Sequence, residues 1–342
     1  MKSRQVKVIG PYKAVIEEVE VPKPRSHEVL IKVKAVGVCR TDLELFSGKY
    51  ALPVVLGHEV CGIVVEVGEL VSNVDIGDRV VVECTMGCGY CPECISGRYN
   101  LCINYRDKWA DGILIGAYSD YICVSERAVH KIPESISDVE GALIEPTSVS
   151  LRAVKRANVS SGDSVVIIGP GTIGLLSLQA AKASGATQVI LVGTPRSEYR
   201  LKLGKELGAD VTINIGEESA VETVLSVTGR GADAVIIAAS NAVKVLDTAL
   251  DMVKPGGSIS IVGLSGGEAA SISSDKIVFK DVSIYGCFSS PNVWEDAIKL
   301  VSNRLIKVKP LITHVFSLAE FEKALKMVSE RKEEVIKVVL KP

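Results

Sequence analysis

The 342 residues are more than one hydrophobic core ordinarily spans, and at about 150 residues per domain they predict two domains. Apolar residues at 47% and charged residues at 23% exclude a disordered or fibrous chain, and a net charge of -2 gives no electrostatic case for nucleic acid or an anionic membrane surface. No apolar run reaches the roughly 18 residues of a membrane helix, and "MKSRQVKVIGPYK" lacks the apolar core of a signal peptide. The expectation is a cytoplasmic protein, with reduced thiols, that acts on a small molecule and has no nucleic-acid or membrane partner.

Up to about residue 125 the chain reads as short β-rich runs broken by glycines: "HEVLIKVKAVGV", "CGIVVEVGE", "GDRVVVE" and "YSDYICVSE". No long amphipathic helix interrupts them, which predicts a partly open antiparallel barrel. Two loops in this part carry metal-ligand chemistry, "VGVCRTDLE" and "LGHEVCG". Cys39, His58 and Glu59 offer a soft, a borderline and a hard ligand, and Asp42 can orient the His58 imidazole. Phe46 and Tyr50 are candidates for a substrate pocket and equally for the core.

The stretch "GCGYCPECISGRYNLC" then places Cys88, Cys91, Cys94 and Cys102 within sixteen residues. Nine cysteines in a reducing compartment favour metal over disulfides. The last gap of seven residues, with no proline after Cys102, departs from the iron–sulfur spacing. Four thiolates fit a closed tetrahedral zinc, which has no open position for substrate. This lobe is expected to fix a protruding loop at a subunit contact.

After "EPTSVSLRAVKRANVSSGD", which carries a further acid, Glu145, the pattern changes to apolar strands alternating with helical stretches. The strands are expected at 164–169, 188–193, 211–215, 232–239, 258–263 and 282–286, and six such strands with helical crossovers predict a doubly wound parallel sheet. "VVIIGPGTIGLLSLQAAKASGA" carries G-x-G-x-x-G at Gly169, Gly171 and Gly174, between a predicted strand and a predicted helix. That context marks a dinucleotide pyrophosphate site, with Thr172 and Ile173 in the same loop and Gly263 at the end of the fifth strand.

The end of the next strand, "LVGTPRSEYR", places Gly193, Thr194, Pro195 and Arg196 where an NAD site wants an acid for the ribose 2′-hydroxyl. A small residue, a hydroxyl and a guanidinium suit a 2′-phosphate, with Arg200 assisting and Glu198 a few residues late. NADP is therefore expected over NAD. The chain closes with "PNVWEDAIKLVSNRL" and "FSLAEFEKALKMVSERKEEVIKVVLKP", the latter ending in another strand-like run.

Together "CRTD", "GHEVCGIVVEVGELV" with Gly62 and Gly68, the four-cysteine lobe and "GPGTIG" resemble, in order and spacing, the zinc-containing medium-chain dehydrogenase/reductase superfamily. The resemblance covers essentially the whole chain. It implies a GroES-like catalytic domain over 1–147 and 289–342, with a Rossmann domain over 148–288 inserted between. It further implies two zinc ions per chain, a homo-oligomer (tetramer or dimer), and a catalytic zinc on Cys39 and His58. A glutamate at 145, where the alcohol dehydrogenase branch has cysteine, is similar to the polyol and threonine branch. Glu59 is accordingly the expected third ligand, with Glu145 near it or exchanging.

The implied chemistry is hydride transfer between a nicotinamide cofactor and a secondary alcohol or polyol, or the matching ketone. The zinc lowers the pKa of the alcohol and Thr41 relays its proton. Ser289 and Ser290 stand where the sorbitol branch carries an Arg-Tyr pair, and Glu44 where the sorbitol and threonine branches carry histidine. An NADPH-dependent aldehyde or ketone reductase, an NAD-dependent threonine-type dehydrogenase and a non-catalytic relative are the alternatives.

Overall fold

The computed structural model describes residues 1–49, 52–105, 115–240, 242–330, 332 and 334–342; Tyr50 lies outside them. The chain divides into two compact units, residues 1–145 with 290–302 and 308–342, and residues 146–289 with 303–307. No described helix is long and apolar enough to cross a membrane.

The first unit begins with β1 (Lys2–Gly10), β2 (Lys13–Glu20), β3 (Glu28–Gly37), β4 (Val54–Val55), β5 (Glu59–Val67), β6 (Arg79–Val82), β7 (Tyr121–Ser125) and β8 (Val129–Lys131). Strand β1 is flanked by β2 and β4, both antiparallel to it. The longest strand, β3, pairs antiparallel with β5 over most of its length and with β7 at its N-terminal end. Its sequence EVLIKVKAVG is nearly continuously buried, as a strand covered on both sides must be.

The second unit holds β9 (Ser164–Ile168), β10 (Gln188–Gly193), β11 (Val211–Asn214), β12 (Ala232–Ile237), β13 (Val253–Ile261) and β14 (Ser283–Gly286). They form one parallel sheet in the order β11-β10-β9-β12-β13-β14, the doubly wound arrangement expected. Strand β13 starts five residues earlier than its apolar run, because a bulge between Ala232 and Ala234 brings Val253 into register. Val166, Ile190, Val235, Ile237 and Ile259 form the centre of its core. The short return 303–307 groups with this sheet. Lys307 donates its amide to Gln179 Oε1 at 2.7 Å and accepts from Gln179 Nε2 at 3.3 Å, while Ile306 is fully buried.

The chain then completes the first unit with β15 (Ile312–Ser317) and β16 (Lys337–Lys341). These two are parallel to each other, and β16 lies antiparallel to β3, pairing Val339 with Gly37 and Leu340 with Val36. The sheet path is β15-β16-β3-β5-β6-β8, with β7 on β3. It is a partly open barrel, mostly antiparallel, around Val29, Ile31, Val60, Val80, Tyr118 and Leu340.

Candidate metal centres and dinucleotide loop

Strand register assembles the first cluster. β3 and β5 are antiparallel neighbours with Gly37 opposite Glu59. The residues just beyond the end of β3 therefore lie beside those at the start of β5. Cys39, two residues past β3, caps the helix Arg40–Phe46, while His58 immediately precedes β5 and Glu59 opens it. The ligand atoms of Cys39, His58 and Glu59 all lie within 4.8 Å of one another, with His58 and Glu59 buried. Gly37 clears the space, since a Cβ there would fall on Glu59 Oε2.

Asp42 holds this arrangement from below. Fully buried, it accepts from the Cys39 amide at 2.8 Å and the Tyr118 hydroxyl at 3.1 Å through Oδ2, and from the Gly57 amide at 3.3 Å through Oδ1. The same Oδ1 faces His58 Nδ1 at 3.6 Å, longer than a hydrogen bond, so that Nδ1 is a buried atom without a partner. With Nδ1 turned to Asp42, the ring presents Nε2 to a metal. Burial pushes the His58 pKa down, but the Cys39 sulfur and the Asp42 carboxylate outweigh it and hold the pKa well above the ordinary value. Thr41 Oγ1 lies 3.6 Å from Cys39 Sγ.

Glu145 stands outside the trio. Its Oε1 accepts from the Cys84 thiol at 3.7 Å, and burial raises its carboxyl to about 7, with His58 opposing and Glu59 adding to the rise. Glu44 pairs with Lys49 at 3.2 Å, and Phe46 packs edge-on against Tyr12 and onto the barrel core. One participant escaped the sequence reading. Lys337, 4% exposed at the start of β16, donates to Glu59 Oε1 at 2.6 Å and to the Val38 carbonyl at 3.1 Å. A lysine opening "KVVLK" looks like a solvated strand end, so only the β16–β3 pairing reveals it. Tyr118 and Gly37 were missed for the same reason.

The second cluster is built as a closed site. Cys88 and Cys94 sulfurs are 3.9 Å apart, as are those of Cys91 and Cys102, and all four atoms lie within 4.8 Å. Tetrahedral zinc–thiolate bonds require sulfurs about 3.8 Å apart, so these residues fit the ion. Burial opposes ionisation of Cys88, but N–H groups of Tyr90, Cys91 and Asn104 lower its pKa to about 6. The soft–borderline–hard trio with an oriented imidazole fits a zinc that keeps an open position.

In the second unit Gly169 takes φ +103°, and a Cβ on Gly174 would strike the Gly169 carbonyl, so both glycines are sterically required. Gly171 caps the helix Thr172–Ala183 without a side-chain hydrogen bond, and the space beside it is open. That is the cradle an anionic pyrophosphate needs, with Thr172 and Ile173 in the first turn. Gly263 has a packing reason, because its Cβ would strike the Ala239 carbonyl. Gly193 ends β10; Thr194 and Arg196 are exposed, and Thr194 Oγ1 lies 3.2 Å from the buried Ser197 Oγ. Arg200 sits within the following helix, Glu198–Glu206.

Residues 25–134 match the family description "Alcohol dehydrogenase GroES-like domain", and residues 172–303 match "Zinc-binding dehydrogenase". The chain is 37% identical over 332 residues to sorbitol dehydrogenase of Halalkalibacterium halodurans, covering 96% of this chain and 95% of that one. Among solved structures it is similar to a zinc-binding dehydrogenase of Sinorhizobium meliloti 1021 bound to NADP, with TM-score 0.92, 33% identity and full coverage of both chains (100% each). It is also similar to an alcohol dehydrogenase of Escherichia coli CFT073 complexed with NADH, with TM-score 0.92 and 29% identity, covering 100% of this chain and 99% of that one. The chain belongs to the zinc-containing medium-chain dehydrogenase/reductase superfamily, as an NAD(P)-dependent oxidoreductase of the alcohol dehydrogenase type.

Proposed function

We propose that the protein interconverts a secondary alcohol or polyol and its ketone, with a catalytic zinc on Cys39, His58 and Glu59 and a second zinc on Cys88, Cys91, Cys94 and Cys102. The observation that carries this reading is the convergence of three chemically different ligand atoms within 4.8 Å at the buried end of β3 and β5. The sorbitol dehydrogenase relative supports a polyol-like substrate. When bound, zinc supplies a Lewis acid that lowers the pKa of an alcohol, and the nicotinamide supplies the hydride acceptor.

The chain's own residues do the rest. Asp42 fixes the His58 tautomer and ring, so that Nε2 is the ligand atom. The Thr41 hydroxyl, beside Cys39 Sγ, takes the substrate proton and passes it on. Glu145, with its carboxyl near pH 7, is a nearby base or exchanging ligand. The helix starting at Thr172 holds the pyrophosphate. NADP is preferred over NAD, because residues 193–197 present a hydroxyl and a guanidinium and no acid.

Nine free thiols are consistent with a reducing, cytoplasmic setting. The open edge of β14 and the exposed Val278 and Phe279 on helix Ser274–Lys280 favour a homo-oligomer, dimer or tetramer. The test is a hydride-transfer assay over polyols, secondary alcohols, aldehydes and threonine with NADP and NAD in parallel, together with metal analysis of Cys39→Ser. The expected outcome is turnover of a polyol or secondary alcohol. Two zincs per chain should fall to one in Cys39→Ser, with the fold intact and turnover lost. Full activity of Cys39→Ser would refute the assignment.

A further inference from the structure

Lys337 is a buried ammonium whose hydrogen-bonding partner is a candidate metal ligand. Its Nζ donates to Glu59 Oε1 at 2.6 Å and to the Val38 carbonyl at 3.1 Å, whereas Glu59 Oε2, though only 2.5 Å from Nζ, is buried without a hydrogen-bond partner. Lys337 and Glu59 are 4% and 2% exposed, so water does not screen the pair. The position is set by backbone: β16 lies on β3 beside Gly37, the Val38 amide donates to the Val338 carbonyl at 2.9 Å, and β5 lies on the other side of β3. Three adjacent strand ends thus bring one cation, one carboxylate and the Cys39–His58 pair into a single buried volume.

We propose that Lys337 is a positioning residue that competes with the metal for Glu59. The inference rests on the assignment of Glu59 to the catalytic zinc. A carboxylate that gives one oxygen to a buried ammonium has only the other for the metal, so Glu59 is a one-oxygen, readily exchanged ligand. The ammonium also adds a positive charge beside the metal, which weakens cation binding and favours an anionic oxygen in the open position. In the metal-free protein it spares Glu59 from being an unpaired buried charge, so the site can empty and refill without unfolding. Without Lys337, both carboxylate oxygens are free for the metal and the competing charge is gone. Both effects tighten metal binding.

The experiment replaces the catalytic zinc with cobalt(II) in the full-length protein and records the visible d–d spectrum and the rate of metal loss to a chelator. It compares the parent with Lys337→Met, Lys337→Arg and Glu59→Gln. Lys337→Met is expected to shift the spectrum and slow metal loss, the affinity rising within the roughly 10–100-fold range over which groups that hold metal ligands act. Lys337→Arg keeps the charge and should return both readouts toward the parent. A purely packing role for Lys337 predicts no spectral change and no rescue by arginine, and an unchanged spectrum and release rate in Lys337→Met overturns the proposal. If Lys337→Met does not fold, the Arg variant decides: metal loss and a spectrum close to the parent support the proposal, and large changes in both count against it. Glu59→Gln separates the premise: no spectral change there means that Glu59 is not a ligand, whereas a change there without one in Lys337→Met defeats the competition alone.

Discussion

Asp42→Asn keeps the size of the side chain and removes its charge, at a residue that bonds the Cys39 amide and faces His58 Nδ1 at 3.6 Å. Three donors bond the carboxylate, and His58 Nδ1 faces it at 3.6 Å. Oδ2 faces the Cys39 amide and the Tyr118 hydroxyl, and Oδ1 faces the Gly57 amide and His58 Nδ1. An asparagine has one acceptor end and one donor end, so one backbone N–H must confront an N–H in either orientation. The mild choice turns the amide nitrogen toward Gly57, whose 3.3 Å bond is the longest, and leaves His58 Nδ1 facing a donor. A stranded buried donor costs about 1–3 kcal/mol of fold stability. The loss of the group that orients a ligating histidine costs roughly 10–100-fold in metal affinity. At fixed excess zinc that removes a further ~1.4–2.7 kcal/mol of metal-linked stabilisation. Chelator competition and denaturation with and without zinc measure the two parts separately, with the four-thiolate site as internal control. Parental zinc affinity in Asp42→Asn would show that Asp42 does not orient His58. Tyr118→Phe, which strands no donor, should cost only about 1 kcal/mol.

In the second unit, Arg196→Ala should raise KM for NADP about tenfold or more, as expected for a lost charged hydrogen bond, and leave NAD nearly unchanged. Equal effects on both cofactors would mean that the loop does not read the 2′-phosphate. His130 stacks on Trp294 at 5.2 Å and bonds Glu295 at 3.1 Å and Glu83 at 3.3 Å. Burial lowers its pKa, but the hydrogen bonds to Glu83 and Glu295 outweigh it and the net shift is upward. The stability His130 confers is therefore present in full below about pH 6.5 and is lost as pH rises through the folded-state value. Urea unfolding across that window should show a falling stability in the parent and a flatter curve in His130→Gln; parallel curves would remove His130 from the pH response.

The sequence exposed what is local and hid what is made by strand pairing. Cys39, His58 and Glu59 were legible because their donor types sit in two short loops, and Gly169 and Gly174 because a steric requirement recurs at fixed spacing. The extent of β13 was misjudged at its start, since "VKPGG" reads as a turn until the bulge against β12 pulls it into the sheet. Lys337 lay 278 residues from Glu59, with no chemical mark to distinguish it from the solvated lysines of the same segment.

Pairing register is also what makes the site a site. Side chains along a strand alternate faces, so a slip of β5 by one residue against β3 would carry Glu59 to the opposite face of the sheet. Gly37 would then face a different side chain, and His58 would be displaced from Asp42. The packing of the barrel opposes that slip, since it would also turn Val60 and Val64 out of the core they share with Val33 and Val36. The residues that hold the barrel together therefore also set the spacing of the Cys39, His58 and Glu59 donor atoms. A core substitution at Val36 or Val60 should disturb metal affinity before it disturbs the fold.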